Sequence, residues 1–194
     1  RRDLRASVRA AIVAADGGRL LGRAFDERPV AQRGSTPFLH ALTARDGPLL
    51  RVVAAGKAAP GMAAVASERL GSRVRAGLVV SHVQAPVPPI YEAMVGGHPY
   101  PTAASERAGH RALQMAESTA PDETLLVLLS GGASALMAVP AEGVTLEDKR
   151  ATTERLLRAG ADIHGLNTVR KHLSALKGGW LAASSGGRCL TYAI

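Results

Sequence analysis

Residues 49–71 read LLRVVAAGKAAPGMAAVASERLG, and the order of signals in that stretch decides the fold class. Leu49 to Ala55 is an apolar run too short for a helix by itself and closed by Gly56, which predicts a strand buried on both faces. From Ala58 to Leu70 the apolar positions Ala59, Met62, Ala63, Ala66 and Leu70 recur at helical spacing, and Gly71 predicts a left-handed cap. The unit is strand, Gly-Lys turn, helix.

Working outward, the same unit repeats. Ala76 to Val80 predicts a strand, Gln84 to Pro89 a proline-rich loop, and Tyr91 to Val95 a strand running into Gly96-Gly97-His98-Pro99. Helical spacing returns at Ala108, Ala112, Met115 and Ala116, ahead of Pro121 and an apolar strand, Thr124 to Leu129. Ser130-Gly131-Gly132-Ala133-Ser134 follows, then a short helix stopped near Pro140. Thr145 to Gly160 reads as a helix, with Thr145 and Asp148 in capping-box positions. Ala182 to Gly187 is a low-complexity patch, and Cys189 to Ile194 is apolar and strand-like. Upstream, Leu4, Val8, Ala11 and Ala15 predict a first helix ended by Asp16-Gly17-Gly18, with a loop-rich stretch to about Pro48. Strands alternating with helices give an α/β fold, a mostly parallel sheet with helices on both faces, in which ligands collect at the carboxyl ends of the strands. At 194 residues we expect one domain, residues 1–48 as a helical and loop lead-in and residues 49–194 as the core.

Composition removes several function classes. The formal charge of +8 suggests a polyanion partner. The arginines, however, are scattered with no run longer than two, and six aromatics leave no stacking platforms, so no nucleic-acid partner is expected. No window approaches eighteen apolar residues and the first thirty carry no apolar core, so no membrane partner is expected and the location is read as cytoplasmic. The single cysteine, Cys189, excludes an internal disulfide and reads as a small buried hydrophobe. Arginine is the default cation, yet three of the four lysines, Lys57, Lys171 and Lys177, lie inside Gly-rich or polar motifs. The stop at Ile194 inside a strand-like run predicts that a further segment completes the protein.

Three glycine turns sit where strands end: Gly56-Lys57, Gly96-Gly97-His98-Pro99 and Ser130 to Ser134. Glycine there lets backbone approach a ligand, and a following helix offers free N–H groups to an anion. The first turn is no Walker loop, because Arg51 stands where its first glycine belongs and Ala58 follows Lys57. No two glycines are spaced two apart, which removes the GxGxxG dinucleotide fingerprint. The six histidines show no ligand-like spacing, and no metal ligand is assigned. From Asn167 to Gly179 the sequence is NTVRKHLSALKGG; Asn167 predicts an N-cap, with Val169, Leu173 and Leu176 as an apolar stripe. Arg170, Ser174 and Lys177 form the opposite stripe, which the residues alone leave open as a solvated face or an anion-facing one.

Four blocks together resemble the MOFRL-linked glycerate kinases: Gly56-Lys57-Ala58-Ala59 with Gly61-Met62, Gly97-His98-Pro99, Leu129 to Leu136 with Pro140, and Gly160 to Ile163 with Asn167 to Gly179. The likeness covers nearly the whole chain. It implies a Rossmann-like three-layer αβα sandwich, the amino-terminal domain of a kinase that uses ATP and Mg²⁺ to convert D-glycerate to 2-phosphoglycerate, with a carboxyl-terminal domain supplying the rest of the cleft. It implies Lys57 as the catalytic lysine. Gly56, Ser130, Gly131, Gly132 and Ser134 would lie against substrate or phosphate, Asn167, Arg170 and Lys171 would face the cleft, and His98, Ser174 and Lys177 would stand near it. The implied partners are the small-molecule substrate and a nucleotide, with a homodimer left open, and the chain by itself is expected to be inactive. Thr102 after Pro101, Gly165 and Trp180 depart from the usual pattern, the first two removing carboxylates. Hydroxypyruvate reductase and a non-catalytic anion-binding module are the competing readings.

Overall fold

A computed structural model describes residues 2–26, 38–44 and 46–194. Strand β1 (Leu49–Ala55) alternates its side chains between two cores, Leu50, Val52 and Ala54 on one face and Val53 and Ala55 on the other. It is flanked in parallel by β2 (Val74–Ser81) and β4 (Glu123–Leu129); β3 (Tyr91–Val95) lies outside β2 and β5 (Arg188–Ala193) outside β4. The order β3-β2-β1-β4-β5 with every pairing parallel sharpens the expected mostly parallel sheet. Parallel strands must be fully covered, which explains why β4 is buried along nearly its whole length.

One face is covered by helix α4 (Ala59–Leu70), with α2 (Gly17–Asp26) and α3 (Phe38–Leu42) packed beyond it. The other is covered by α5 (Ala103–Glu117), α6 (Ala133–Leu136) and α9 (Trp180–Ala183). The result is a Rossmann-like three-layer αβα sandwich. Two further helices, α7 (Leu146–Arg158) and α8 (Ile163–His172), pack on each other, α7 beginning with the expected capping box between Thr145 and Asp148.

The lead-in is more ordered than its sequence predicts. A first helix, α1 (Arg2–Ala14), is present, with Val8, Ile12 and Val13 exposed. Gly17 and Gly18 do not end a helix into a loop; they begin α2, where they are buried against α4. A Cβ on Gly17 would stand 2.5 Å from that of Ala58, and one on Gly18 would stand 3.1 Å from the Gly61 oxygen. They serve close helix approach, and Leu21 and Phe25 then reach the core. Of the predicted loop, residues 27–37 and 45 lie outside the described residues. Gly71 has φ +57° and ψ −137°, so it ends α4 with a positive φ but opens a short 3₁₀ turn, Gly71–Arg73, rather than forming the expected left-handed cap.

Candidate functional site

The strand order reverses between β1 and β4, the position where the carboxyl ends of an open parallel sheet leave a crevice. Both turns there are glycine turns, and they are tied together. Lys57 donates its backbone N–H to the Gly131 oxygen at 2.9 Å, Ser130 donates its N–H to Ala55 at 2.9 Å, and Ala58 donates to the Ser130 hydroxyl at 3.1 Å. Gly56 sits at φ +128°, where a Cβ would stand 2.1 Å from Ser130 Oγ and 2.6 Å from the Ser130 carbonyl oxygen. Only glycine lets the turns close. Gly132, left-handed at φ +92°, caps the start of α6, and a Cβ there would meet the His98 ring at 3.1 Å and the Lys57 side chain at 3.6 Å. Lys57, His98 and the Ser130–Gly132 turn therefore share one corner, with the Lys57 side chain exposed.

Beside this corner opens a cleft of about 710 Å³, lined by the Ser130–Ser134 turn, Asn167, Arg170, Lys171, Lys177 and the end of β5. A smaller recess of about 230 Å³ adjoins it, walled by Pro99, Tyr100, Leu157, Leu166 and Leu173. Ser134, Arg170 and Lys177 border both. Arg170 Nη2 donates to Ser134 Oγ at 2.9 Å, linking α8 to the start of α6.

Four cations line the recess: Arg150, which lies 5.8 Å over the Tyr100 ring, and three that stand together, Arg170, Lys177 and Lys149, the last only 8% exposed. Lys149 Nζ donates to the Val139 oxygen at 3.2 Å and Lys177 Nζ to the Met137 oxygen at 2.9 Å, and none of the three forms an ion pair among the described residues. Burial, reinforced by Lys149 and Arg170, pushes Lys177 down to about 7; burial and Arg170 push Lys149 down to about 8 against the opposing pull of Glu106. Burial likewise lowers Arg170. Sequence reasoning passed over Lys149 because it falls inside an ordinary amphipathic helix. Its signal was its type, a fourth lysine in a chain whose cations are mostly arginine.

The segment 167–179 is not one helix. Asp162, whose Oδ1 accepts the Gly165 N–H at 2.7 Å, is the N-cap of α8, so Asn167 lies inside the helix, exposed on the cleft wall. The helix stops at His172 because the chain then pairs with the segment before α7, through an antiparallel bridge between Pro140 and Ser174. Ser174 is 2% exposed; its hydroxyl donates to Val139 and accepts from Leu176 and Lys177, so it is a structural tie and not a cleft residue. Gly178 and Gly179 have positive φ, but Gly179 is the N-cap of α9 rather than the end of α8. Cys189 is half-buried on the cleft wall, its thiol pushed up by burial.

Among the described residues no group of three or more His, Cys, Asp or Glu is placed to hold a metal ion, and the cleft walls offer hydroxyls, an amide and cations rather than carboxylates. The side chains present therefore do not form a magnesium site. No helix among the described residues is long and apolar enough to cross a membrane.

The family described as a domain of unknown function, DUF4147, matches residues 3–194. Over 136 residues the chain is 45% identical to a D-glycerate 2-kinase of Thermotoga maritima, covering 68% of this chain and 32% of that protein. It is 40% identical over 158 residues to a glycerate kinase of Rattus norvegicus, covering 70% and 29%. A protein of Agrobacterium vitis, provisionally named a hydroxypyruvate reductase, is 36% identical over 167 residues, covering 86% and 38%. The crystal structure of a glycerate kinase from Thermotoga maritima superposes with a TM-score of 0.78 at 34% identity, over 96% of this chain and 42% of that one. The chain thus spans about a third of the length of the curated relatives it matches. Since the family match takes in every strand of the sheet, the chain belongs to DUF4147, the amino-terminal domain of glycerate kinase and MOFRL proteins.

Proposed function

We propose that this chain contributes one wall of the active site of a glycerate kinase, which transfers the γ-phosphoryl group of ATP to D-glycerate and yields 2-phosphoglycerate. The observation that carries the reading is the meeting, at the strand reversal, of the Gly56-Lys57 turn with the Ser130–Gly132 turn, the latter lining one cleft together with the cations of α8. Relatives named glycerate kinase at 40–45% identity support it.

In this reading the substrate hydroxyl oxygen attacks the γ-phosphorus, the bond to the bridging oxygen of ADP breaks, and the hydroxyl proton leaves to solvent or a nearby base. Phosphoryl transfer asks chiefly for positioned positive charge around the moving group. Lys57 supplies an ammonium beside the glycine turn, where backbone N–H groups donate to phosphate oxygens, and Lys171 adds charge from α8. Half a cleft neither excludes water nor places both reactants, so residues 1–194 alone have negligible turnover.

The test is a coupled ADP-release assay on the protein that carries this chain, at its native length, with ATP, Mg²⁺ and D-glycerate. Absence of glycerate-dependent ADP release overturns the reading. A second reading, reduction of hydroxypyruvate, has the Agrobacterium relative's name on its side, and hydroxypyruvate-dependent NADH oxidation would establish it.

A further inference from the structure

The recess walled by Pro99, Tyr100, Leu157, Leu166 and Leu173 is separate in character from the glycine-turn corner. Its volume, about 230 Å³, lies below the roughly 300–1,000 Å³ of sites for drug-sized molecules. It has room for an acid of a few carbons and not for a nucleotide. Its lining is apolar apart from Thr153, Arg150 over the Tyr100 ring, and the cluster of Lys149, Arg170 and Lys177, which arrive from α7, α8 and the loop after it, with Ser134 bonded to Arg170.

Three cations crowded together with no ion pair among the described residues, and with only Glu106 acting on Lys149 from nearby, are costly for the fold, because each is desolvated and the charges repel one another. Carbonyl capping does not explain Lys149. The Val139 oxygen that Lys149 reaches already accepts the Ser174 hydroxyl at 3.0 Å, so a neutral side chain in place of Lys149 would leave no orphaned acceptor. What the arrangement lacks, among the described residues, is an anion paired with it.

We propose that this recess binds the carboxylate of the small hydroxy acid substrate, gripped by Arg170 with Lys149 and Lys177 on either side, while the phosphoryl donor occupies the wider cleft at the glycine turns. The assignment of a hydroxy acid rests on the glycerate kinase reading; the carboxylate site itself rests on the recess. A planar guanidinium presents two parallel donors to a carboxylate, and lysines add point charge without demanding geometry. Ser134, bonded to Arg170, fixes the direction of the fork. The apolar walls exclude water and sharpen each of these attractions.

The experiment is isothermal titration of the protein that carries this chain, at native length, with D-glycerate, lactate, malonate, inorganic phosphate and ATP in turn, on the wild type and on Lys149→Met. The expected result is a dissociation constant for D-glycerate raised at least tenfold in Lys149→Met, that for ATP unchanged within twofold, and a ligand-free melting temperature equal to or above the wild type. Arg170→Lys, which keeps the charge but not the fork, should weaken D-glycerate binding as well and spare ATP. Loss of ATP binding with D-glycerate retained overturns the proposal, as does Lys149→Met failing to fold, which would make Lys149 structural. Wild-type binding of phosphate but of none of the three acids also overturns it. Binding of malonate or lactate but not D-glycerate, lost in Lys149→Met, keeps the carboxylate recess and removes the glycerate reading.

Discussion

The hydroxyl of Ser130, at the end of β4, accepts the backbone N–H of Ala58 at 3.1 Å, so the turn after β1 is closed by a side chain from the neighbouring strand. Ser130→Ala removes that acceptor from a partly buried N–H. Unfolding free energy should fall by about 1 kcal/mol in urea with an unchanged slope. Glycerate-dependent ADP release should fall more than that loss of stability explains, because Lys57 rides on the same turn.

Gly56→Ala should be far more damaging. The φ of +128° is unfavourable for any side chain, and the new Cβ would stand 2.1 Å from Ser130 Oγ and 2.6 Å from the Ser130 carbonyl oxygen. A cost of about 3 kcal/mol or more is expected from strain and overpacking together. Adding Ser130→Ala should not rescue it, since the backbone oxygen stays in place; chemical denaturation of the single and double variants checks both points.

Lys57 is exposed, and its ammonium has no hydrogen-bond or ion-pair partner among the described residues. Lys57→Ala should therefore leave the melting temperature nearly unchanged while lowering kcat by about 10²–10³, the scale of losing one positioned electrostatic contact. An equal loss of stability and activity would make the lysine structural.

Glu123 accepts Arg51 Nε at 2.8 Å and the Ala120 N–H at 3.0 Å, and these bonds hold its carboxyl below the usual range against the opposing effect of burial. A depressed carboxylate adds stability that is complete above its unfolded value and lost as pH falls through its folded one. Glu123→Gln should thus cost about 2 kcal/mol at neutral pH, between the exposed and buried limits for an ion pair. The gap from wild type should close as the pH drops below the ordinary carboxylate range, as followed by denaturation at pH 7, 4 and 3.

Lys177 at about 7 and Lys149 at about 8 titrate in the opposite sense. Between these values and the ordinary lysine range the unfolded chain holds protons that the native one has shed, so ligand-free stability should rise with pH across that window. Lys177→Met should flatten the rise. Affinity for a small carboxylate should instead fall from pH 6 to pH 9 as the two ammonium groups neutralise, Arg170, Arg150 and Glu106 being the other charged groups near them.

What the sequence revealed followed how local the cause was. β1 and α4 were legible because run length, helical spacing and the intervening glycine agree within 23 residues. The Ser130–Gly132 turn was legible by the same logic, and its contact with Gly56-Lys57 follows once the two strands are neighbours. The start of α2 was not, since Gly17-Gly18 reads as a stop unless one knows that Ala58 and Gly61 press against it. The end of α8 was hidden for a like reason. Nothing near His172 breaks a helix; the break comes from Pro140, which pairs with Ser174 from far along the chain. Lys149 joined the candidate site only when α7 was laid across Val139, a relationship that periodicity does not encode.

Arg170 borders both the wide cleft and the small recess, and so do Ser134 and Lys177. A shared wall makes the two chambers thermodynamically dependent on each other. An anion entering one lowers the positive potential felt in the other, and by reciprocity the second occupant disturbs the first by the same factor. On the proposed reading, the free energy of holding both reactants differs from the sum of holding each, and that difference passes through the shared wall of Ser134, Arg170 and Lys177.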